Sequence, residues 1–311
     1  MSEVTATGPM REVDAIPLTA RLRGWASNPW ARPRGLAVWT WLYILWSILP
    51  IGFAVLMAFN EGRSTVAFQG FSLYWWIDDP DSAVFTNPDY RGAIIQSLKL
   101  AGGDMLIATP IGVALALGLA RWRGRGSGAA NFLMLFPLVT PEIVMGASLF
   151  LVFSNLFDFV SFGTPAQLLG HVTFSISYVV IVVRGRLFAI GREYEEAAMD
   201  LGASPAGALR RVLLPLLGPA IFASAMIVFA ISIDDFVIST FLVGGQESNT
   251  IPILIYNQAR GGPRPSLNGV ASLMLAGSML AITLALLVQR RFNRRQAAGR
   301  SAVEDFARFE L

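Results

Sequence analysis

The 311-residue chain contains no cysteine, a single histidine and a single lysine. Without thiols, it has no disulfide framework, no thiolate metal site and no cysteine nucleophile. The single histidine, His171, cannot build a metal site that needs several imidazoles. The single lysine, Lys99, lies in SLKLAGG, which does not fit the GxxxxGK[ST] loop that binds ATP phosphates. We therefore expect no cofactor on this chain and no ATP hydrolysis through such a loop.

Charged residues are scarce as well. They make up 14% of the chain, against about 25% in an ordinary soluble domain, whereas hydrophobic residues make up 54%. The mean hydropathy is +0.55. Glycine and proline, at 29 and 17 residues, are commoner in transmembrane helices than in soluble ones and do not indicate disorder here. The composition predicts an integral membrane protein that is surrounded by lipid.

Six long apolar segments predict an all-α integral membrane protein with six transmembrane helices. They cover residues 38–59, 93–120, 129–153, 168–183, 216–243 and 269–289. The first has twenty-two residues without a formal charge, long enough to cross a ~30 Å hydrocarbon layer and too long for the core of a cleavable signal peptide. The fourth has only sixteen residues, so we expect it to use flanking residues or to lie deep within the bundle.

The predicted organisation is a tail of residues 1–37, a membrane domain of residues 38–290 and a second tail of residues 291–311. Arginine indicates the orientation, because cytoplasmic loops retain basic residues. With the N-terminus inside, the inner segments hold nineteen arginines and the outer segments only four. Both termini are therefore predicted to be cytoplasmic. The basic excess also needs no nucleic-acid partner.

The first outer loop, residues 60–92, combines several acidic residues with the aromatic run FSLYWW at 71–76. Aromatic side chains of this kind are enriched at the membrane surface, so one interpretation is an interfacial belt. The other interpretation is a docking surface for an extracytoplasmic protein. The sequence leaves both open.

The inner loop between the fourth and fifth segments predicts two short helices. Apolar residues recur at helical spacing over 194–201, and Gly202 suits the end of that helix. Ser204 and Pro205 suit the cap and the first turn of a second helix. Leu209, Val212 and Leu213 continue the apolar stripe of this helix, and Pro215 is expected to interrupt it just before the fifth segment.

The string EAAMDLGASPAGALRRVLLP in this loop resembles the EAA-x3-G-x9-I-x-L-P pattern of the coupling loop in membrane subunits of bacterial ABC importers. Glu196, Gly202 and Pro215 are among the literal matches, and Val212 replaces the usual isoleucine. The resemblance implies the type I ABC importer permease fold, a coupling loop at 192–215, and contact with a separate ATPase subunit that binds the ATP. The residues implied at this contact are Glu195, Glu196, Ala197, Ala198, Asp200, Leu201, Gly202, Ala203, Ser204 and Pro205.

A wider resemblance, over about residues 36 to 290, is to spermidine/putrescine-type permeases. It is carried by ISIDDFVISTFLVGG at 231–245 and by the following NTIPILIYNQARGGPRPSLNGVASL. It implies a polyamine as cargo. It also implies three kinds of partner, namely an ATPase dimer, a second homologous permease subunit and an extracytoplasmic binding protein.

Four acidic residues lie within the predicted spans, namely Asp104, Glu142, Asp234 and Asp235. A charge at the bilayer centre costs about 2.5 to 3.5 kcal/mol and usually faces a bundle interior or a water-filled path. Acids along a path favour a polycation, and Asp234 and Asp235 are the leading candidates. The alternative is a structural role, in which Lys99 and arginines at helix ends pair with some of them.

Local context adds three expectations. Pro137 and Pro141 are expected to break the third span beside Glu142, and a broken helix can line a cavity. Asp104 follows two glycines and so also fits a close contact between helices. His171 is expected to be a hydrogen-bonded residue at the membrane interface rather than a proton relay.

The predicted function is one half of the membrane channel of an ATP-driven polyamine importer, without enzymatic activity of its own. Two other functions remain open from the residues. An ion-coupled secondary transporter or channel would use the buried acids, although it would not need the coupling loop. An ABC permease for an anion, a sugar or another solute would keep the loop and change the cargo.

Overall fold

The computed structural model describes residues 34–122, 124–262 and 264–309. Within these residues the fold is helical, with one isolated bridge between Asn60 and Phe71 and no strand. In chain order the helices are α1 (Arg34–Met57), α2 (Tyr74–Ile77), α3 (Pro88–Arg121), α4 (Ser127–Leu133), α5 (Phe136–Val139), α6 (Glu142–Asn155), α7 (Thr164–Ile190), α8 (Glu193–Asp200), α9 (Pro205–Ala208), α10 (Leu214–Asp234), α11 (Val237–Phe241), α12 (Ile251–Gly261) and α13 (Pro265–Phe309). A π-helical turn, Leu209–Leu213, joins α9 to α10, and a 3-10 turn, Gln246–Ser248, follows α11.

Five helical stretches in the described residues are long and apolar enough to cross a membrane. They are α1, α3, α7, the continuous stretch Pro205–Asp234 and α13 through Phe292. The bent pair Ser127–Val139 and Glu142–Asn155 makes a sixth when its two arms are counted as one span. The predicted all-α membrane fold is confirmed.

The described residues up to Gly52 and those from Phe53 onward form two compact units. In the described part of the first unit, residues 34–37 of the predicted N-terminal tail are already helical as part of α1, which contains Pro50. Residues 1–33 of that tail lie outside the described residues. In the second unit, the membrane domain was predicted to end at residue 290. Helix α13 continues beyond it to Phe309, so residues 291–309 of the predicted C-terminal tail are helical.

The third span is broken, as its prolines predict. Pro141 is extended, with ψ of 132°, and α6 begins directly after it. Since proline has no N–H to donate, the helical ladder ends there, and the helix direction bends by 106° between the two arms. The break places Glu142 at the N-terminus of α6.

Helix α7 lies at the centre of the second unit, packed against α3 and α10. It has 27 residues. In its most apolar stretch 61% of the residues are buried, a larger share than in the other four long spans. The short predicted segment therefore both uses flanking residues and lies deep within the bundle. Close approach to α3 depends on Gly112, because a Cβ atom there would lie 2.5 Å from the Cβ of Val179.

The fifth span differs from the prediction at both ends. Pro215 does not interrupt it, because this residue lies in the first turn of α10 directly after the π-helical turn. Such a turn shifts the hydrogen-bond register and accommodates the missing N–H of a proline. At the other end, the expected continuous segment 216–243 stops at Asp234. Asp235 is extended, with ψ of 119°, and the short helix α11 follows.

The loop between α1 and α3 has a small aromatic core of its own. Trp75 and Trp76 are buried, and the indole N–H of Trp76 donates to the carbonyl of Ala58 at 2.8 Å. Neither the belt nor the docking interpretation therefore describes these two tryptophans, because burial inside the loop satisfies them. Both interpretations still apply to Phe71 and Tyr74, which are exposed.

Asp79 fixes the turn after this aromatic core. Its carboxylate accepts the backbone N–H of Ser82 at 2.8 Å. Burial favours the neutral acid, but hydrogen bonds from Ser82 and Tyr74 outweigh it and hold the pKa of Asp79 below its ordinary value. A lowered pKa means that this carboxylate stabilises the loop fully above its ordinary pKa and less as the pH falls through the lowered value.

Candidate functional site

The segment predicted as a coupling loop folds into the short helices α8 and α9 joined by a tight turn. The N–H of Ala203 donates to the carbonyl of Ala198 at 3.0 Å, and the N–H of Gly202 donates to the carbonyl of Met199 at 2.9 Å. Gly202 has φ of +87°, in the left-handed region. This is the Schellman helix end, which favours glycine because a Cβ atom strains that conformation.

Helix α9 begins as the sequence predicts. Ser204 accepts the backbone N–H of Gly207 at 3.1 Å, and Pro205 occupies the first turn. The two caps make residues 192–208 a compact unit, which we call the coupling hairpin.

The coupling hairpin exposes most of its surface. Of the ten residues expected at an ATPase contact, Glu195, Ala198 and Ala203 are half-buried. The other seven, all exposed, are Glu196, Ala197, Asp200, Leu201, Gly202, Ser204 and Pro205. Leu201 is 91% exposed, so a large apolar side chain stands at the tip with no cover from the described residues of this chain. The contact of these residues with an ATPase stays a prediction.

An ion pair that the sequence analysis missed joins the hairpin to the second span. Arg121, the last residue of α3, pairs with Glu195 in the first turn of α8. The Glu195 side chain is 15% exposed, whereas that of Arg121 is 42% exposed. Water therefore screens the pair in part. The ion pair still helps to position α8 against the end of α3.

Replacing Arg121 with glutamate is expected to loosen α8 from α3. The change replaces an attraction with a like-charge repulsion, and an exposed pair contributes up to about 1 kcal/mol, which corresponds to a roughly two- to fivefold change in an opening equilibrium. Limited proteolysis within residues 192–204 should accelerate by that factor. The exchanged pair, Arg121→Glu with Glu195→Arg, should restore the original rate. Equal rates for all three proteins would contradict this role of the pair.

The hairpin leads directly into the membrane through the continuous helix Pro205–Asp234. Leu213 and Leu217 on this helix are fully buried and share an apolar core with Val179 and Val183 of α7. A movement of the hairpin is therefore transmitted to the centre of the bundle by packing as well as by the Arg121 pair.

The four candidate pathway acids occupy different surroundings. Asp104 of α3 is completely buried and accepts the hydroxyl of Ser175 of α7 at 2.6 Å. Its second oxygen, Oδ1, has no hydrogen-bond partner among the described residues. The expected close contact between helices is therefore present, and the Asp104 carboxylate lies inside the α3–α7 interface.

Asp235 lies at the break of the fifth span. Its carboxylate accepts the backbone N–H groups of Ser239 at 2.8 Å and of Ile238 at 3.3 Å, and so caps α11. His171 of α7 lies against the same carboxylate, with Nε2 3.1 Å from an Asp235 oxygen. The Asp235 side chain is only 9% exposed.

His171 is buried rather than interfacial, which corrects the position that we expected for it, although it is hydrogen-bonded as predicted. Its Nδ1 lies 2.6 Å from the hydroxyl of Ser232, and its Nε2 lies 2.9 Å from that of Ser239. The residue is 2% exposed, because α7 lies at the centre of the bundle and not at its edge.

Asp234 and Glu142 are exposed, in contrast to the other two acids. Asp234 is the last residue of α10 and accepts the hydroxyl of Ser278 of α13 at 3.1 Å. Glu142 is the first residue of α6, where the positive end of the helix dipole favours a carboxylate. The structure thus separates the pair at 234 and 235, with one carboxylate on the surface and the other in the interior.

A polar stripe along α7 contains His171 and several residues that the sequence analysis missed. Gln167 accepts the amide of Gln96 of α3 at 2.9 Å, and the same amide reaches Thr164 at 2.9 Å. Thr164, Gln167, His171 and Ser175 recur every three or four positions along α7, so they share one face, which is buried from Gln167 onward. That spacing was visible in the sequence and could have indicated a helix face that must be covered by protein. No group of three acidic or histidine side chains in the described residues is placed to hold a metal ion.

Comparison with known proteins identifies a family. The family model described as "Binding-protein-dependent transport system inner membrane component" matches residues 108–298, which include the coupling hairpin. The chain is 34% identical over 256 residues to the spermidine/putrescine transport system permease protein PotC of Haemophilus influenzae, covering 82% of this chain and 95% of that protein. It is 33% identical to the putrescine transport system permease protein PotI of Escherichia coli K12, with 80% and 86% covered. The molybdenum transport system permease protein ModB of Mycobacterium bovis is 32% identical, with 66% and 80% covered.

A solved structure shares the fold. A bacterial ABC transporter involved in the import of the acidic polysaccharide alginate contains a chain that superposes with a TM-score of 0.66 at 16% identity, covering 88% of this chain and 98% of that one. A second structure of an alginate ABC transporter, solved with its pentasaccharide-bound periplasmic protein, gives a TM-score of 0.65. The family model spans more than half of the chain and the permease relatives match it over most of its length, so this chain belongs to the inner membrane components of binding-protein-dependent transport systems.

Proposed function

We propose that this chain is one half of the membrane channel of an ABC importer and that the coupling hairpin is the surface held by the ATPase. The observation that carries the proposal is the hairpin itself: it is rigidly capped, exposed at its tip and continuous with a membrane-spanning helix. A partner that closes on this hairpin moves the helix with it, and that is how a soluble motor can act on a channel. ATP would bind to the partner and not to this chain.

Three partners follow from this proposal. An ATPase dimer would hold this hairpin and its counterpart, and a second, homologous permease subunit would complete the channel. An extracytoplasmic binding protein would deliver the solute, as the family name implies. The alginate transporter solved with its periplasmic protein supports this arrangement by analogy of fold.

A polyamine is the proposed cargo. Two of the permease relatives carry spermidine or putrescine in their names. Asp234 and Glu142 present exposed carboxylates within or beside apolar spans, where a carboxylate attracts an organic cation more strongly than in water. Asp104 is buried and the side chain of Asp235 is only 9% exposed, so we assign both to the shape of the channel wall rather than to direct contact with the cargo.

The proposed orientation places both termini and the coupling hairpin in the cytoplasm of a multi-pass inner-membrane protein. The arginine distribution supports it, and so does the need for ATP on the side of the hairpin. The loop between α1 and α3 then faces the binding protein.

The test is reconstitution of the complex. The chain is purified with its cognate ATPase, second permease and secreted binding protein, and the complex is placed in liposomes. Putrescine or spermidine, with the binding protein, is expected to stimulate ATP hydrolysis several-fold and to accumulate inside. The matched control is the same complex supplied with molybdate, the chemistry named by one relative. Uptake of molybdate in place of polyamine would contradict the proposed polyamine cargo. It would leave the proposed importer function in place.

The same preparation tests the other class of function. The chain is reconstituted alone, with a proton or sodium gradient and no ATPase. We expect no uptake of putrescine under these conditions. Gradient-driven uptake by the chain alone would contradict the proposal and support an ion-coupled transporter.

A further inference from the structure

The short helix after the break is fastened to α7. We call residues 237–248, which contain α11 and the 3-10 turn, the α11 cap. The side-chain amide of Gln167 donates to the carbonyls of Ser239 at 3.1 Å and of Ser248 at 3.0 Å. At the start of α7, the N–H of Gly163 donates to the carbonyl of Leu242 at 2.8 Å. These bonds come from a helix other than α10, so the α11 cap is held in place by α7.

Close packing also fixes the α11 cap to α7. A Cβ atom on Gly170 of α7 would lie 2.8 Å from side-chain atoms of both Ile238 and Leu242. Glycine lets the α11 cap approach the α7 backbone at this point. The chain connecting α10 to the cap is only the extended residue Asp235 with Phe236. The fifth span thus consists of a long helix that bears the coupling hairpin and a cap that is hydrogen-bonded to α7 and also packs against α6.

His171 bridges the two parts. Its Nδ1 lies 2.6 Å from the hydroxyl of Ser232, on the last turn of α10, and its Nε2 lies 2.9 Å from that of Ser239, on α11. The same Nε2 lies 3.1 Å from Asp235, between them. One imidazole therefore contacts both sides of the break and the residue at its centre. All of these residues except Asp235 are less than 5% exposed, and the Asp235 side chain is 9% exposed.

Buried hydrogen bonds fix a position more sharply than apolar packing does. If the imidazole and the Ser232 hydroxyl separate, two polar groups lose their partners in a setting that water does not reach. The end of α10 is therefore tied to the α11 cap at one defined point.

We propose that His171 is a positioning residue that transmits movement of the helix Pro205–Asp234 to the α11 cap, through its bond to Ser232. The inference rests on the proposed function, because it assumes that the coupling hairpin is moved by an ATPase. It predicts that breaking the bond separates hydrolysis from transport. The hairpin still moves, but the far side of the break no longer follows it.

The experiment measures the number of putrescine molecules taken up for each ATP hydrolysed by the full reconstituted complex. Ser232→Ala removes the hydroxyl on α10 and leaves the contacts of His171 with Asp235 and Ser239 in place. We expect the ratio to fall about threefold, with hydrolysis within twofold of the unmodified complex. His171→Phe, which keeps an aromatic ring and removes both nitrogens, is expected to lower the ratio about tenfold. Ser232→Thr keeps the hydroxyl and should restore most of the ratio.

Ser224→Ala is the matched control. Ser224 also lies on α10 and is fully buried, but the one partner of its hydroxyl among the described residues is the carbonyl of Ile221 on the same helix, at 2.8 Å. We expect this variant to keep the unmodified ratio. A mere loss of folded protein would lower uptake and hydrolysis together and leave their ratio unchanged.

The outcomes distinguish a wrong role for His171 from a wrong importer function. If the unmodified complex couples uptake to hydrolysis and both Ser232→Ala and His171→Phe keep that coupling ratio, the inference about His171 is wrong and the importer function stands. If the unmodified complex hydrolyses ATP with no solute uptake, the proposed function is wrong, and this inference is wrong with it.

Discussion

Replacing Gly202 with aspartate in the reconstituted complex is expected to reduce putrescine uptake at least tenfold and to abolish its stimulation of ATP hydrolysis. Gly202 has φ of +87°, where a side chain is strained by about 1 to 3 kcal/mol whatever space surrounds it. Relief of that strain reopens the end of α8 and moves the exposed tip of the hairpin. Uptake, hydrolysis and co-purification of the ATPase are measured on the same preparation.

Gly128→Asp is the control for the added charge. Gly128 lies in α4 on the same predicted side of the membrane, is exposed, and has open space around its Cβ position. Its φ is ordinary, so aspartate adds the same charge without strain. Uptake should stay within twofold of the unmodified complex. If Gly202→Asp retained full uptake and normal ATPase binding, the coupling function of the hairpin would be refuted.

Replacing Asp234 with asparagine is expected to lower putrescine uptake about tenfold, while the binding protein still stimulates hydrolysis. Asparagine keeps an acceptor for the Ser278 hydroxyl, so the change removes charge with little change of shape. Loss of one attraction to a passing dication in a partly dehydrated site corresponds to about 1.4 kcal/mol for a tenfold effect. Initial rates of uptake at saturating binding protein are compared.

Asp158→Asn is the matched substitution outside the spans. Asp158 is exposed in the loop between α6 and α7, so neutralising it removes the same charge from a site surrounded by water. We expect its uptake rate to be unchanged, and Asp234→Glu to recover part of the lost rate. Full polyamine uptake by Asp234→Asn would show that this carboxylate is not on the pathway, and would favour another cargo.

The coupling hairpin could be predicted in detail because its signals are local. A helix end at Gly202, a cap at Ser204 and a proline in the next first turn each depend on a few neighbouring residues. The break at Pro141 was predictable for the same reason, since the missing N–H acts on its own helix. The effect of Pro215 was predicted wrongly, because a π-helical turn just before it absorbs the defect.

The polar interior could not be predicted with the same detail, because it depends on which helices meet. Nothing local distinguishes Asp234 from Asp235, yet one accepts a hydroxyl from α13 and the other caps α11 beside His171. The break of the fifth span arises where α7 supplies hydrogen bonds that replace those of a continuous helix. Likewise, the pairing of Arg121 with Glu195 joins residues that are far apart in the chain.

The unbroken helix Pro205–Asp234 has thirty residues. At 1.5 Å per residue it is about 45 Å long, half as long again as a ~30 Å hydrocarbon layer. A tilt of roughly 5° about the end that bears the hairpin would sweep the opposite end sideways by about 4 Å, from that length alone. If the coupling hairpin is held by an ATPase as proposed, the helix would act as a lever, and a slight rotation of that partner would displace the end of the helix opposite the hairpin by more than an atomic diameter.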